Sequence, residues 1–590
     1  MTARHHKSFG LLRKRFIVIA AVLLSTAIFP FRAYSSEKPI IREKVPIEAY
    51  DGTILAATVA LPDSIGTYPT VLVRTPYGAE HYAGFFKRLT DRGYACVVED
   101  TRGRFASGGV FIPFVHGVDD GDATMGWIRS QSWSNGVIAT DGHSYNGFTA
   151  LYAIAGNEEP PAATVVRHPV ASPQGGLYRG GAMLHHFDYY WSILVDTKTY
   201  DLYYMFNLDW DHLFGLLPLN DAHRGVNRDI PFYRDWVQWA NGSFGDGILP
   251  DPASIPSDKT AVLLIGGWFD LFGRDVVNLF TRLNAEAGNK RIKLIMGPFD
   301  HAASPPPDTG YDFGDWQAVN IGTEQEKWLD HWILGADNDA EESPAVRFFL
   351  LGENRWVSAD SWPPEGARTQ SFFLHSNGSA NTAGGDGSLD MRPPTSEPLD
   401  QFTYDPSNPA PTVGGAICCL RQMTNAGPYD QSKIENRDDV LVYRSAVLDK
   451  SLTAVGPVEV ELYAATSAKD TDFTAKLVDI SPDGRSTILA DGIIRARYRN
   501  GMGAPQFITP GDILLYRIEL GPVANTFAKG HRIGIEISSS NFPRFDRNLN
   551  TGGPIGTEAV GVTAEQTVYH DNIRQSKLIL TVADLNQDKR

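Results

Sequence analysis

Asp141, Gly142, His143, Ser144, Tyr145, Asn146 and Gly147 form a turn that sets a serine hydroxyl among small residues, a setting suited to nucleophilic attack on a carbonyl. A strand-like run, Val137 to Thr140, precedes the serine, and Phe148, Leu151, Tyr152 and Ala155 follow it at helical spacing. Gly142 leaves room for a tight elbow two residues before the hydroxyl. The second glycine usual in such elbows, two residues after the serine, is replaced by Asn146, with Gly147 next. A serine needs a base and an acid to orient that base. Downstream, the apolar run Ala261 to Ile265 ends in Gly266, Gly267, Trp268, Phe269, Asp270, and the run Ile292 to Met296 ends in Gly297, Pro298, Phe299, Asp300, His301. Taken singly, Asp270 also fits the cap of a helix with Val276, Leu279, Phe280 and Leu283 on one face, and His301 fits an ordinary loop. Three candidates after three strand ends point instead to one assembled site for acyl transfer.

The order serine, acid, histidine is that of α/β hydrolases, in which loops at the carboxyl ends of parallel strands collect the site. From about Ile40 to Glu159 strand-like runs (Thr70 to Arg74, Ala95 to Val98) alternate with helix-like ones (Thr124 to Arg129), which predicts a parallel sheet covered by helices. Between about Val170 and Ser257 the chain turns aromatic and helical, with Tyr189, Tyr190, Trp191, Tyr203, Tyr204 and Trp210 close together. Alternation resumes from Lys259 until a helix that ends near Gly335. Beyond about Ser343 the period becomes two, as in Val458, Val460 and Leu462 and in Ile533, Ile535 and Ile537, the mark of half-buried antiparallel strands. The fold class expected is α/β: an α/β-hydrolase body over 36–169 and 258–342, an inserted helical cap over 170–257, and a C-terminal β-sandwich of jelly-roll type over 343–590.

Length, at 590 residues, exceeds one core, and 42% apolar with 21% charged residues is ordinary for globular chains. A formal charge of −16 excludes a basic nucleic-acid face. Residues 1–35 read as a secretory signal: Arg4, Lys7, Arg13, Lys14 and Arg15, then an apolar stretch Phe16 to Phe31, then Ala33, Tyr34, Ser35. Export to the periplasm or medium is therefore expected, with an uncleaved membrane anchor as the rival reading. Three cysteines form no disulfide framework; Cys96 reads as a small buried residue, and the neighbours Cys418 and Cys419 as a pair that rarely bridges without strain. No zinc spacing, calcium loop or phosphate-binding glycine loop occurs, so neither metal nor cofactor is expected.

Arg74-Thr75-Pro76-Tyr77, Asp100-Thr101-Arg102-Gly103, the serine turn with its tyrosine, Gly267-Trp268-Phe269-Asp270, Gly297-Pro298 before His301, Tyr404-Asp405-Pro406 and Arg437-Asp438-Asp439 together carry a resemblance. The chain resembles the CocE/NonD hydrolase family, whose members include esterases, α-amino acid ester hydrolases, acylases and X-Pro dipeptidyl-peptidases. The resemblance implies a hydrolase body, a helical cap and a jelly-roll sandwich. It implies Ser144 as nucleophile, Asp270 as acid, His301 as base, and an oxyanion hole made by the Tyr77 hydroxyl and the Tyr145 backbone N–H. Phe272, with Trp268 nearby, matches an acyl-pocket position. Asp100 and Arg102 read as an ion-paired supporting loop. The expected substrate is a small ester, or an amide. Family members that take α-amino acid esters carry acids directly after the catalytic aspartate; Leu271 and Phe272 stand there instead, so an ammonium partner would have to come from the cap, from Asp188 or Asp209. The non-enzymatic alternative is a jelly-roll binding protein with an inert hydrolase body.

Overall fold

A computed structural model describes residues 39–585, except 156, 240–250, 252–253, 257, 285–288 and 421–423. The expected signal at 1–35 lies outside the described residues. Among the described residues no helix is long and apolar enough to cross a membrane.

The body is a ten-stranded sheet ordered Ile40–Glu48, Ile54–Leu61, Ala95–Asp100, Tyr68–Thr75, Ser134–His143, Ala163–Arg167, Ala261–Gly267, Ile292–Gly297, Val346–Leu350, Arg355–Ala359. From Ala95–Asp100 to Val346–Leu350 every neighbouring pair is parallel, and antiparallel pairs close the two edges. Ala261–Gly267 and Ile292–Gly297 are buried at every residue, as continuous apolar runs must be when helices cover both faces of a parallel sheet.

The body sheet takes up strands beyond the expected boundary at 342. Val346–Leu350 pairs with Ile292–Gly297 and brings Arg355–Ala359 with it. Phe348, Phe349 and Leu350 are buried in succession, the mark of a strand covered on both faces. The sandwich starts with Arg368–His375. Its eleven strands form one hydrogen-bonded network, held by the long strand Leu452–Thr466, which pairs with Leu514–Phe527, Ala564–Tyr569 and Lys577–Val582.

Between body strands lie short helices, including Pro173–Leu177, His185–Val195, Trp210–Gly215 and Pro231–Gln238, and a two-residue hairpin, Tyr178–Arg179 with Ala182–Met183. His185–Val195 is buried at every position, so it is a core helix of the cap and not a surface one. The hairpin is tied to the sandwich: Arg495 N donates to Gly180 O at 2.8 Å, and Met183 N to Asp546 Oδ1 at 2.6 Å.

Candidate active site

Ser144 stands between the strand Ser134–His143 and the helix Tyr145–Tyr152 with φ 60 and ψ −124, a backbone conformation that a residue with a side chain holds only at a cost of about 1–3 kcal/mol. Its N–H donates to Arg167 O at 2.9 Å, and its carbonyl accepts from Phe148 N at 3.1 Å. A Cβ on Gly142 would lie 1.9 Å from the Asn146 carbonyl oxygen, so the elbow admits no side chain there. The displaced second glycine has its own reason: a Cβ on Gly147 would lie 2.8 Å from Pro169 Cβ. Asn146, in the usual glycine place, donates Nδ2–H to the Tyr82 hydroxyl at 2.7 Å.

His301 Nε2 lies 2.9 Å from Ser144 Oγ, and its Nδ1 lies 2.7 Å from Asp270 Oδ1. Asp270 caps nothing: the helix Gly273–Leu283 starts after Phe272 without a side-chain cap. Its second oxygen is 3.0 Å from His168 Nδ1, so the carboxylate sits between two imidazoles. Burial would push the Asp270 carboxyl up; the charges and hydrogen bonds of His301 and His168 outweigh it and hold the group well below the usual carboxylate range. His143, whose ring centroid is 5.0 Å from that of His301, is held well below the ordinary histidine range by burial first and by the neighbouring histidines next. It therefore stays neutral beside the His301 imidazole. Sequence reading missed His168. A signal existed, since His168 follows the strand Ala163–Arg167 as Ser144, Asp270 and His301 follow theirs.

On the opposite side of the serine, the Tyr77 hydroxyl accepts from Trp191 Nε1 at 2.9 Å and has Ser144 as a hydrogen-bonding neighbour. With its oxygen occupied by the indole, the phenol keeps its own proton to donate. Burial raises its pKa, so it remains a neutral donor. The fully buried Arg104 fixes the turn behind it, donating Nε–H to Pro76 O at 2.9 Å and an Nη1–H to Val195 O at 3.0 Å; this is a second residue that sequence reading missed. Tyr145 opens its helix, where the first N–H groups have no intrahelical acceptor, and its hydroxyl accepts from Phe114 N at 2.9 Å.

Aromatic rings join these two sides. Phe272 meets the His301 ring edge-on at 5.4 Å, Phe187 meets Phe272 at 5.4 Å, Trp191 lies 6.4 Å from Phe187, and Tyr145 stacks on Trp191 at 5.2 Å. Trp268 does not join this collar, a correction to the expected pocket: its Nε1–H donates to Phe349 O at 2.7 Å and its ring packs on Trp362, which turns it toward the segment leading into the sandwich. The two cap acids expected as an ammonium partner stand in different settings. Asp209 is exposed and caps the helix Trp210–Gly215, while Asp188 is buried with Arg179 and Asp546 as its nearest charges. Asp100 and Arg102 are not paired with each other: Asp100 accepts from the N–H groups of Ala79 (2.8 Å) and Ala106 (3.1 Å), and Arg102 pairs with Asp51 and Asp120 at 2.6 Å each.

Two groups of potential metal-ligating side chains occur among the described residues: His168, Asp270 and His301, which form the relay above, and His301 with Cys418 and Cys419. The second is invisible to spacing in sequence, because a loop of the sandwich carries the cysteines to the histidine.

Residues 51–303 match the family described as X-Pro dipeptidyl-peptidase (S15 family), and residues 338–579 match the X-Pro dipeptidyl-peptidase C-terminal non-catalytic domain. Cocaine esterase from Rhodococcus sp. (strain MB1 Bresler) is 32% identical over 582 residues, which cover 92% of this chain and 98% of that one. A solved α-amino acid ester hydrolase superposes with a TM-score of 0.78 at 22% identity, covering 95% of this chain and 99% of its own. A CocE/NonD family hydrolase from Staphylococcus aureus superposes with a TM-score of 0.67 at 17% identity, covering 93% and 94%. At such identities the two structures speak for the fold. With a strained serine, a buried histidine–carboxylate relay and these relatives together, the chain belongs to the CocE/NonD family of serine hydrolases.

Proposed function

We propose that this protein is an esterase for small neutral esters with an aromatic or branched acyl group, acting through Ser144, His301 and Asp270. The observation that carries the reading is the unbroken hydrogen-bond line from Ser144 Oγ through both nitrogens of His301 to Asp270. His301 Nε2 takes the serine proton as Oγ bonds to the ester carbon, then returns it to the departing alkoxide. Asp270 fixes the tautomer that leaves Nε2 free to accept, and stabilises the imidazolium that forms. His168 holds the second carboxylate oxygen and keeps Asp270 in place. As the carbonyl oxygen gains charge, the Tyr77 O–H and the Tyr145 N–H donate to it. Water then repeats the sequence on the acyl-serine with His301 as its base.

Phe272, Phe187, Trp191 and Tyr145 give the acyl group apolar aromatic walls. The Rhodococcus relative, named as a cocaine esterase, agrees with an ester substrate. The amino-ester and dipeptide readings would need Asp188, buried next to Phe187 on the cap helix with Arg179 and Asp546 as charged neighbours, to receive an ammonium. Purified protein should release nitrophenol from phenylacetyl and butyryl esters faster than it cleaves phenylglycine methyl ester or Gly-Pro anilide. A fluorophosphonate should label Ser144. A dominant rate on the anilide would replace the esterase reading with the dipeptidyl one. No turnover and no label would favour a binding protein.

Exported location is also part of this reading, supported by the basic and apolar character of residues 1–35. Detection of the mature chain in the periplasm or medium, with its N-terminus sequenced, checks it.

A further inference from the structure

The loop from Pro411 to Leu420 leaves the sandwich and enters the core that body and cap share: Ile417, Cys418 and Leu420 are buried in one cluster with Phe272, Phe187 and Trp191. Arg544 holds its path by donating to the Ala416 carbonyl, and Gly415 exchanges hydrogen bonds of 2.8 and 3.0 Å with Gly427. Near the end of this stretch the sulfurs of Cys418 and Cys419 are joined, a bridge between sequence neighbours. Their sulfurs and a ring nitrogen of His301 lie within 4.8 Å of one another. Ester hydrolysis uses neither sulfur.

Three such donors are the ligand set of an open zinc site, two thiolates and an imidazole with a fourth position left to solvent. The histidine is already dressed for the role. Its Nδ1 faces Asp270 at 2.7 Å, the carboxylate–histidine arrangement that orients metal-bound imidazoles, which leaves Nε2 to bind.

We propose that Cys418, Cys419 and His301 form a redox-gated site for a thiophilic divalent cation, Zn²⁺ or Cd²⁺, and that occupancy switches the hydrolase off. While the sulfurs are bonded to each other they carry no charge and the site is closed. Two equivalents of an external monothiol open it: the S–S bond becomes two thiols, and the monothiol leaves as its own disulfide. Metal binding then releases the two thiol protons. The cation takes the Nε2 lone pair that must receive the Ser144 proton. Inhibition rests on the reading of His301 as base; binding of the cation does not.

The test uses the full chain, oxidised or reduced with a phosphine that is then removed. Reduced protein titrated with Cd²⁺ should develop the cadmium–thiolate absorption in the ultraviolet at one ion per chain, and oxidised protein should not. Zn²⁺ should inhibit the reduced enzyme and release it on adding EDTA. Cys418→Ser and Cys419→Ser, each compared with its own metal-free rate, should lose inhibition by roughly tenfold or more, beyond what removal of an outer-shell partner causes. His301→Ala should keep the cadmium band but bind the ion at least about tenfold more weakly. Reduced protein without the band, or equal zinc inhibition in oxidised, reduced and serine-substituted protein, overturns the proposal. A cadmium band in a protein with no metal-free ester turnover would keep the site and overturn the esterase reading instead.

Discussion

Two of the regions of this molecule that bury charged side chains differ in what the charge can reach. In the sandwich, Arg495 pairs with Asp472 and Asp546, Arg497 with Asp470, and Asn548 Nδ2 donates to Asp470 and Asp472. Three carboxylates there share two guanidiniums. At the active site one carboxylate, Asp270, lies between two imidazoles. Burial pushes Asp472 up despite Arg495, whereas the histidines carry Asp270 down against the same burial. The sandwich cluster is closed, each arginine ending on an acid or a backbone carbonyl. The active-site relay is open at one end, on a serine hydroxyl. Burial and perturbed titration are common to both, so the open end marks the site of chemistry.

Four perturbations sharpen this contrast. The largest is Ser144→Ala, which removes the open end and should lower kcat on a nitrophenyl ester by on the order of 10⁴-fold or more while leaving Tm within a few degrees. Breaking the closed cluster should do the reverse. Asp472→Asn leaves Arg495 partly unpaired and should cost about 3–5 kcal/mol of stability in denaturant titration, with kcat per folded molecule unchanged. A tenfold fall in that kcat would erase the distinction between the regions. On the proposed mechanism, Tyr77→Phe should lower kcat by roughly a hundredfold or more, about 3 kcal/mol, with little change in KM, because the proposed donor is used only as charge develops on the carbonyl oxygen.

The smallest effect is one of pH. The folded Asp270 carboxyl is held below its ordinary value near 3.8, so the stability it contributes is fully present above that value and lost as pH falls through the folded one. The Tm difference between the native protein and Asp270→Asn should therefore stay constant from pH 8 to about pH 5 and shrink only below about pH 4. A gap that closes between pH 7 and 5 would mean that the histidines do not hold this carboxyl down.

Much of this arrangement was legible in the chain. Ser144, Asp270 and His301 each follow an apolar run that could only be a buried strand, and in a parallel sheet the carboxyl ends of such strands meet at one edge. The alternation of Val458, Val460 and Leu462 announced the sandwich by the same local logic. Partners chosen by tertiary contact were not legible. The place of His168 after a strand was legible, but its pairing with Asp270, 102 residues away, was not, since no periodicity relates them. Trp268 has the right sequence neighbours for a pocket, yet its indole satisfies a carbonyl of a strand 81 residues away. The strand Val346–Leu350 shows the same limit, since a short run ending in Phe348, Phe349 and Leu350 reads alike as the edge of one sheet or the start of another until its hydrogen-bond partner is known.

Trp191 couples two properties that an enzyme might otherwise adjust separately. On the proposed mechanism the cap helix that carries it walls the acyl group, and the same indole N–H bonds to the Tyr77 hydroxyl. Any remodelling of the cap that displaces this ring would then also disturb the proposed oxyanion donor. Phe187 and Phe272 are the rings of the collar whose exchange would alter the proposed acyl pocket without removing that hydrogen bond.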